Sequence, residues 1–197
     1  MEFFREIPWL EVFGAGFSIV YSLLLMREKM LGWLFGIAAS IISMYLFFET
    51  KLYAQAVISI YYACVGVYGW MYWYKAKERN EHIHVWGIRQ HVLYVGMFII
   101  LSLASTWVFK NYTDSASPYL DSFLTLFGLL ASIKEARKIL TSWVYWFVIN
   151  GVSVYLYFSQ HLYYYAAITV LYTIICIPGY LNWLKIYRNH EGREGIK

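Results

Sequence analysis

Seven apolar stretches, separated by short polar or charged segments, run along the 197 residues of this chain. A helix needs about 20 mostly apolar residues to cross the hydrocarbon core of a bilayer. Measured against that length, the pattern predicts membrane-spanning helices over residues 9–26, 31–49, 53–74, 91–109, 119–134, 143–159 and 162–184. The composition agrees, because 60% of the residues are hydrophobic and 14% are charged. The chain is therefore predicted to be an all-α integral membrane protein with seven transmembrane helices, embedded in a lipid bilayer.

A shift of 110 residues aligns the first part of the sequence with its last part without a gap. The alignment gives 19 identical pairs over the 68 positions from Pro8 to Lys75, which indicates an internal duplication. Each copy holds three predicted helices and one helix separates them, so both copies are expected to cross the membrane in the same direction. This parallel 3+1+3 repeat resembles the architecture of the SWEET proteins. We expect a first three-helix bundle over 1–75, a cytoplasmic loop and linker helix over 76–117, and a second three-helix bundle with a cytoplasmic tail over 118–197.

The basic residues predict the orientation of the chain in the membrane. Thirteen of the 16 Lys and Arg residues fall on one side of the predicted membrane, whereas Arg5, Lys51 and Lys110 fall on the other. Basic residues favour the cytoplasmic side, so the N-terminus is expected outside and the C-terminus in the cytoplasm. The net charge of +4 is then explained by orientation, and no nucleic acid partner is expected.

A polar position deep in the sixth predicted helix gives the strongest candidate site. Trp143, Trp146 and Asn150 share one helical face, which places two indole rings beside an amide. Their counterparts in the first copy include Trp33 and Ser40. A desolvated cation over an indole gains about 2 kcal/mol, so we expect this face to bind a flat, positively charged ring. Simple packing of the aromatic face is the alternative.

Four further polar residues are candidate substrate contacts. Glu11 and Asp121 are equivalent in the duplication, and each follows a proline near the outer end of its helix. They can interact with the positive end of the helix dipole, or attract a cationic substrate to the outer mouth. Ser59 and Tyr62 in the third helix can contact a substrate, or bond to the backbone and to neighbouring helices.

Several other classes of protein are excluded by the absence of their motifs. Neither a catalytic nucleophile motif nor a cluster of metal ligands is found, so no enzyme, metal site or cofactor is expected. Glu81, His82 and His84 could hold a metal ion, but a solvated loop is the preferred interpretation. The sequence also lacks a phosphate-binding loop for ATP hydrolysis and a central carboxylate pair for ion coupling.

Cys64 and Cys176 are expected to be small core residues. A membrane protein that acts as a sensor or scaffold, without transporting a ligand, remains the alternative to a transporter.

The segment from Trp33 to Trp73, with YLDSF at 119–123 and WVYWFVIN at 143–150, resembles the PnuC family of bacterial vitamin transporters. The shared features are FGI after Trp33, KLYA before the third helix, YGW at its end and WxxWxxx(N/D) in the sixth helix. The resemblance implies a facilitator for nicotinamide riboside or a related B vitamin in the bacterial inner membrane. It also implies a homo-oligomer, in the form of a trimer, and a cytoplasmic kinase that traps the vitamin by phosphorylation.

The same resemblance assigns roles to individual residues. Trp143, Trp146 and Asn150 match the substrate-binding motif of the family. Ser59 departs from it, because members that resemble the nicotinamide riboside carriers tend to have Gln at this position. The departure leaves thiamine, which also has a flat cationic ring, and riboflavin as alternative substrates.

Overall fold

The computed structural model describes residues 7–112 and 117–194. In these two ranges the chain forms seven α-helices and no β-strand: α1 (Ile7–Met26), α2 (Gly32–Glu49), α3 (Tyr53–Glu78), α4 (Ile88–Tyr112), α5 (Pro118–Ala136), α6 (Ser142–Ser159) and α7 (Tyr163–Glu194). Each helix corresponds to one predicted span, so the prediction of a seven-helix all-α membrane protein is confirmed. By length and hydropathy alone, α1, α2, α4 and α7 each qualify as membrane spans. α3 and α7 continue past the predicted spans into polar turns.

The described part of the chain forms two compact units. Among the described residues, the first comprises 7–82 and 182–194, and the second comprises 83–112 and 117–181. α7 contributes residues to both units. The division into a bundle, a linker and a second bundle remains a prediction.

Helix ends at equivalent positions of the duplication close with the same turn. Glu28 and Lys138 both have φ of 54°, and Lys51 and His161 have φ of 62° and 59°. In all four turns, the next residue donates a backbone hydrogen bond of 2.8 to 2.9 Å to the carbonyl five residues back. This is the hydrogen bond that defines the Schellman motif, which normally favours glycine at the left-handed position. The matching turns support the inferred duplication at the level of backbone geometry.

The first unit is organised around Trp33. α2 packs against both α1 and α3, and the Trp33 ring contacts Tyr21 and Trp73 edge-on, with centroids 5.5 and 5.7 Å away. Only 1% of Trp33 is exposed. Burial of large rings with edge-to-face contacts stabilises such a cluster beyond the area that it removes from solvent.

Two side chains from α7 satisfy the end of α1. The amide nitrogen of Asn182 donates a 2.7 Å hydrogen bond to the carbonyl of Met26, and the indole of Trp183 donates a 2.9 Å hydrogen bond to the carbonyl of Leu25. The last four carbonyls of a helix lack partners within it. These contacts therefore fasten the last part of α7 to α1 within the first unit.

In the second unit, α5 packs against both α4 and α6. The segment before α4 lies against the α5–α6 turn, where backbone hydrogen bonds of 3.1 and 3.0 Å join His84 to Lys138 and Leu140. Ile83 and Trp86 in this segment are buried. The expectation of a solvated loop around His84 is therefore wrong, because the loop buries apolar side chains and pairs its backbone.

Candidate ligand-binding site

The first predicted site residue, Trp143, is a packing residue in the second unit. Only 3% of it is exposed, and its ring lies against Gly179 of α7, where an added β-carbon would be 2.5 Å from Cε3. Trp33 lies in the same way on Gly69, where an added β-carbon would be 2.6 Å from the ring. These glycines are equivalent in the duplication, as are the tryptophans. Both glycines thus permit close helix packing.

Trp146, one turn further along α6, is partly exposed and hydrogen-bonded. Its indole Nε1 donates a hydrogen bond of 3.1 Å to Oε2 of Glu135, in the last turn of α5. Glu135 is 3% exposed. A buried carboxylate is unfavourable unless hydrogen bonds or charges compensate it, so the indole donor stabilises Glu135 and Glu135 fixes the orientation of the ring.

Asn150, the next predicted residue on α6, is also partly exposed. Its amide Nδ2 donates a 3.7 Å hydrogen bond to Sγ of Cys176 on α7, which leaves the amide carbonyl to accept one from a ligand. We call Glu135, Trp146, Asn150 and Cys176 the Trp146 cluster; three helices of the second unit contribute to it.

Lys134 precedes Glu135 and has no solvent exposure. Its ammonium lies 3.5 Å from the centroid of the Tyr145 ring and 4.8 Å from that of Trp86. Of the described residues, none forms a hydrogen bond with this ammonium. Contacts with two ring faces offset part of the cost of burying its charge.

Sequence reasoning missed Lys134 and Glu135 as parts of a site. It counted Lys134 only among the basic residues that set orientation, and it assigned no role to Glu135. The available signal was a pair of adjacent charges at the end of an apolar helix. The rings that cover them come from α6 and from the segment before α4, and spacing within one helix does not reveal these contacts.

The predicted polar residues of the first unit bond to their own helices. The hydroxyl of Ser40 donates to the carbonyl of Gly36 at 2.8 Å, and that of Ser59 donates to the carbonyl of Gln55 at 2.9 Å. The Tyr62 ring contacts its neighbour Tyr61, with centroids 5.6 Å apart. For Ser59, bonding to the backbone was the alternative that the sequence left open.

The two predicted acidic residues differ in position. Asp121 is partly buried in the first turn of α5, where a carboxylate interacts favourably with the positive end of the helix dipole. Glu11 is exposed and lies one turn inside α1, which has no acidic residue in its first turn. The dipole explanation therefore applies to Asp121 and not to Glu11.

The cysteines and histidines give no metal site in the ranges 7–112 and 117–194, where no three potential ligands cluster. The ring of His82 stacks on that of His190, with centroids 3.4 Å apart. Cys176 is buried as expected, whereas Cys64 is exposed, so the expectation of a core position for Cys64 is wrong.

Comparisons with known proteins agree with this architecture. The chain is 21% identical over 215 residues to the nicotinamide riboside transporter PnuC of Escherichia coli (strain K12), covering 95% of this chain and 90% of the relative. It is 22% identical over 208 residues to the protein of the same name from Neisseria mucosa, covering 96% and 77%. The crystal structure of a vitamin B3 transporter PnuC shares the fold, with a TM-score of 0.75 at 20% identity, over 92% of this chain and 83% of the other.

The family model described as nicotinamide mononucleotide transporter matches residues 8–185. This match includes all but the ends of the seven-helix fold. It places the chain among transporters and supports the expectation that it is not an enzyme. The chain is a multi-pass membrane protein that belongs to the nicotinamide mononucleotide transporter family.

Proposed function

We propose that this protein carries nicotinamide riboside across the bacterial inner membrane by facilitated diffusion. The observation that carries the proposal is the pairing of Trp146, oriented by Glu135, with Asn150 one turn further along α6. The relatives named nicotinamide riboside transporters support the choice of substrate.

The chemistry of the substrate suits the Trp146 cluster. Nicotinamide riboside has a flat pyridinium ring, a carboxamide and a neutral ribose. The cationic ring would stack on the indole of Trp146, since indole faces attract cations. The carbonyl oxygen of Asn150 would accept a hydrogen bond from the carboxamide or from a ribose hydroxyl.

The other predicted residues have supporting roles in this proposal. Trp143 would hold α6 against α7 behind Trp146. In the first unit, Ser40 and Tyr62 are partly exposed and would offer further substrate contacts, whereas the buried Trp33 and Ser59 would support them by packing. Asp121 and Glu11 would attract the cation at the outer mouth, in an orientation with the N-terminus outside and the C-terminus in the cytoplasm.

Charge favours the riboside over the mononucleotide named in the family description. The mononucleotide carries a phosphate, which the buried carboxylate of Glu135 would repel. The ammonium of Lys134 is enclosed by Tyr145 and Trp86, so it offers little compensation to a phosphate. In this account, a cytoplasmic kinase would trap the riboside after uptake, and the carrier would work as a homotrimer.

The proposal is tested by thermal stability and calorimetry on purified protein with nicotinamide riboside, nicotinamide mononucleotide, thiamine and riboflavin. A ligand that binds the folded state raises its apparent stability. We expect nicotinamide riboside to give the largest shift and Trp146→Ala to remove it. A shift with thiamine alone would favour thiamine as the substrate, which is the alternative raised by serine in place of glutamine at position 59. Saturable flux into liposomes distinguishes a carrier from a sensor that only binds.

A further inference from the structure

Glu135 places a buried carboxylate against the indole of Trp146. Glu135 is 3% exposed, and its carboxylate accepts the indole hydrogen bond at 3.1 Å. Burying a charged group is costly, and replacing buried charged groups by well-packed apolar residues is often neutral or stabilising. A carboxylate at this position therefore calls for a functional explanation.

A hydrogen bond to a carboxylate changes the electronic character of an indole. The anionic acceptor polarises the N–H bond and increases electron density in the ring, so the ring face attracts cations more strongly. The negative charge also acts directly on a ligand stacked on that face, because the apolar surroundings screen it weakly. Both effects stabilise a cationic ring and leave a neutral ring of the same shape almost unaffected.

We propose that Glu135 is the specificity-determining residue that makes this site prefer a positively charged ring over a neutral one. The inference rests on the proposed function, because it assumes that the substrate ring stacks on Trp146. It assigns the charge selectivity to one carboxylate on α5 rather than to the aromatic faces alone.

The neighbouring Lys134 does not share this role in charge selectivity. Successive residues of a helix point about 100° apart, and the two side chains contact different residues of α6. Lys134 places its ammonium on the ring of Tyr145, whereas Glu135 bonds to Trp146. Lys134 therefore contacts aromatic rings, whereas Glu135 accepts a hydrogen bond from the indole on which the ligand would stack.

The test compares uptake of nicotinamide riboside with uptake of its neutral 1,4-dihydro form in liposomes. Glu135→Gln removes the charge but keeps an oxygen that can accept the indole hydrogen bond. We expect the ratio of kcat/KM for the cationic over the neutral ligand to fall about tenfold in this variant, which corresponds to the loss of one weakly screened charge interaction. Glu78→Gln removes an exposed carboxylate at the end of α3 and is the matched control, with an unchanged ratio.

A second measurement separates charge from positioning. The indole N–H resonance of Trp146, assigned by its loss in Trp146→Phe, reports the hydrogen bond directly. We expect Glu135→Gln to keep a hydrogen-bonded resonance and Glu135→Ala to move it toward the position of a free indole. Glu135→Ala should therefore lose affinity for both ligands, whereas Glu135→Gln should lose mainly the preference for the cation.

The outcomes distinguish this inference from the proposed function. Wild-type protein that moves neither ligand would contradict the proposed function. Wild-type protein that prefers the cation, with a Glu135→Gln variant that keeps the same preference, would overturn the role of Glu135 and leave the function intact. If Glu135→Gln folds poorly, the double variant Lys134→Met with Glu135→Gln removes both buried charges and is held to the same expectation.

Discussion

Trp143 lies so close to Gly179 that a β-carbon on the glycine would come within 2.5 Å of the indole ring. The same contact joins Trp33 to Gly69 in the other copy of the duplication, with a corresponding distance of 2.6 Å. Both copies thus keep one tryptophan of the second helix against one glycine of the third. This contact holds α6 to α7 and supports the turn of α6 that presents Trp146.

Replacement of Gly179 by alanine should destabilise the protein. The added methyl group would overlap the ring of Trp143, and overpacking of this kind costs about 1–3 kcal/mol. Gly151→Ala on α6 is the matched control, because an added β-carbon there meets no atom within 4 Å. Thermal unfolding in detergent should show a lower midpoint for Gly179→Ala and an equal or higher one for Gly151→Ala. Equal midpoints for the two variants would contradict the packing described for Trp143.

Asn150→Ala should weaken ligand binding without unfolding the protein. Loss of one hydrogen bond to a polar ligand group costs about 1–3 kcal/mol, or roughly fivefold to 150-fold in affinity. Titration calorimetry with nicotinamide riboside measures this loss. Asn111→Ala, on an exposed turn of α4, is the control and should bind normally. Normal affinity in Asn150→Ala would remove Asn150 from the site.

Glycine at residue 161 should stabilise the protein relative to alanine. His161 has φ of 59°, a left-handed conformation that costs a residue with a β-carbon about 1 kcal/mol and costs glycine little. Both substitutions remove the contact of the His161 ring with Tyr163, so the comparison isolates the backbone. We expect a higher unfolding midpoint for His161→Gly than for His161→Ala. The reverse order would argue against a left-handed turn at this helix end.

The proposed orientation can be measured with single cysteines in a Cys64→Ala, Cys176→Ala background. Lys51 and Lys77 are both exposed; Lys51 lies in the turn before α3, and Lys77 lies in the last turn of α3. We expect a membrane-impermeant maleimide added to intact cells to label Lys51→Cys and to leave Lys77→Cys unlabelled until the cells are broken. Labelling in the opposite order would invert the proposed topology.

The seven helices and the duplication could be predicted because both depend on features within the sequence itself. Apolar length sets the spans, and the 110-residue shift pairs Trp33 with Trp143 and Gly69 with Gly179. The predicted ends were less accurate in α3 and α7, where helical hydrogen bonding continues beyond the apolar stretch into polar residues.

The chemistry of the site was only partly predictable. The spacing of Trp146 and Asn150 on α6 indicated a shared face, but Glu135 and Lys134 belong to another helix. Their partners become apparent only when α5 packs against α6. The packing of the loop before α4 was not predicted for the same reason. Its composition is mostly polar, but Ile83 and Trp86 within it are buried.

The most direct test of the account is uptake of radiolabelled nicotinamide riboside by liposomes that contain either wild-type protein or Trp146→Ala. The matched control is Trp107→Ala, which removes an exposed tryptophan on α4. We predict saturable uptake by wild type and by Trp107→Ala, and no saturable uptake by Trp146→Ala despite normal insertion and purification. Saturable uptake by Trp146→Ala at the wild-type level would contradict the claim that the Trp146 indole binds the substrate.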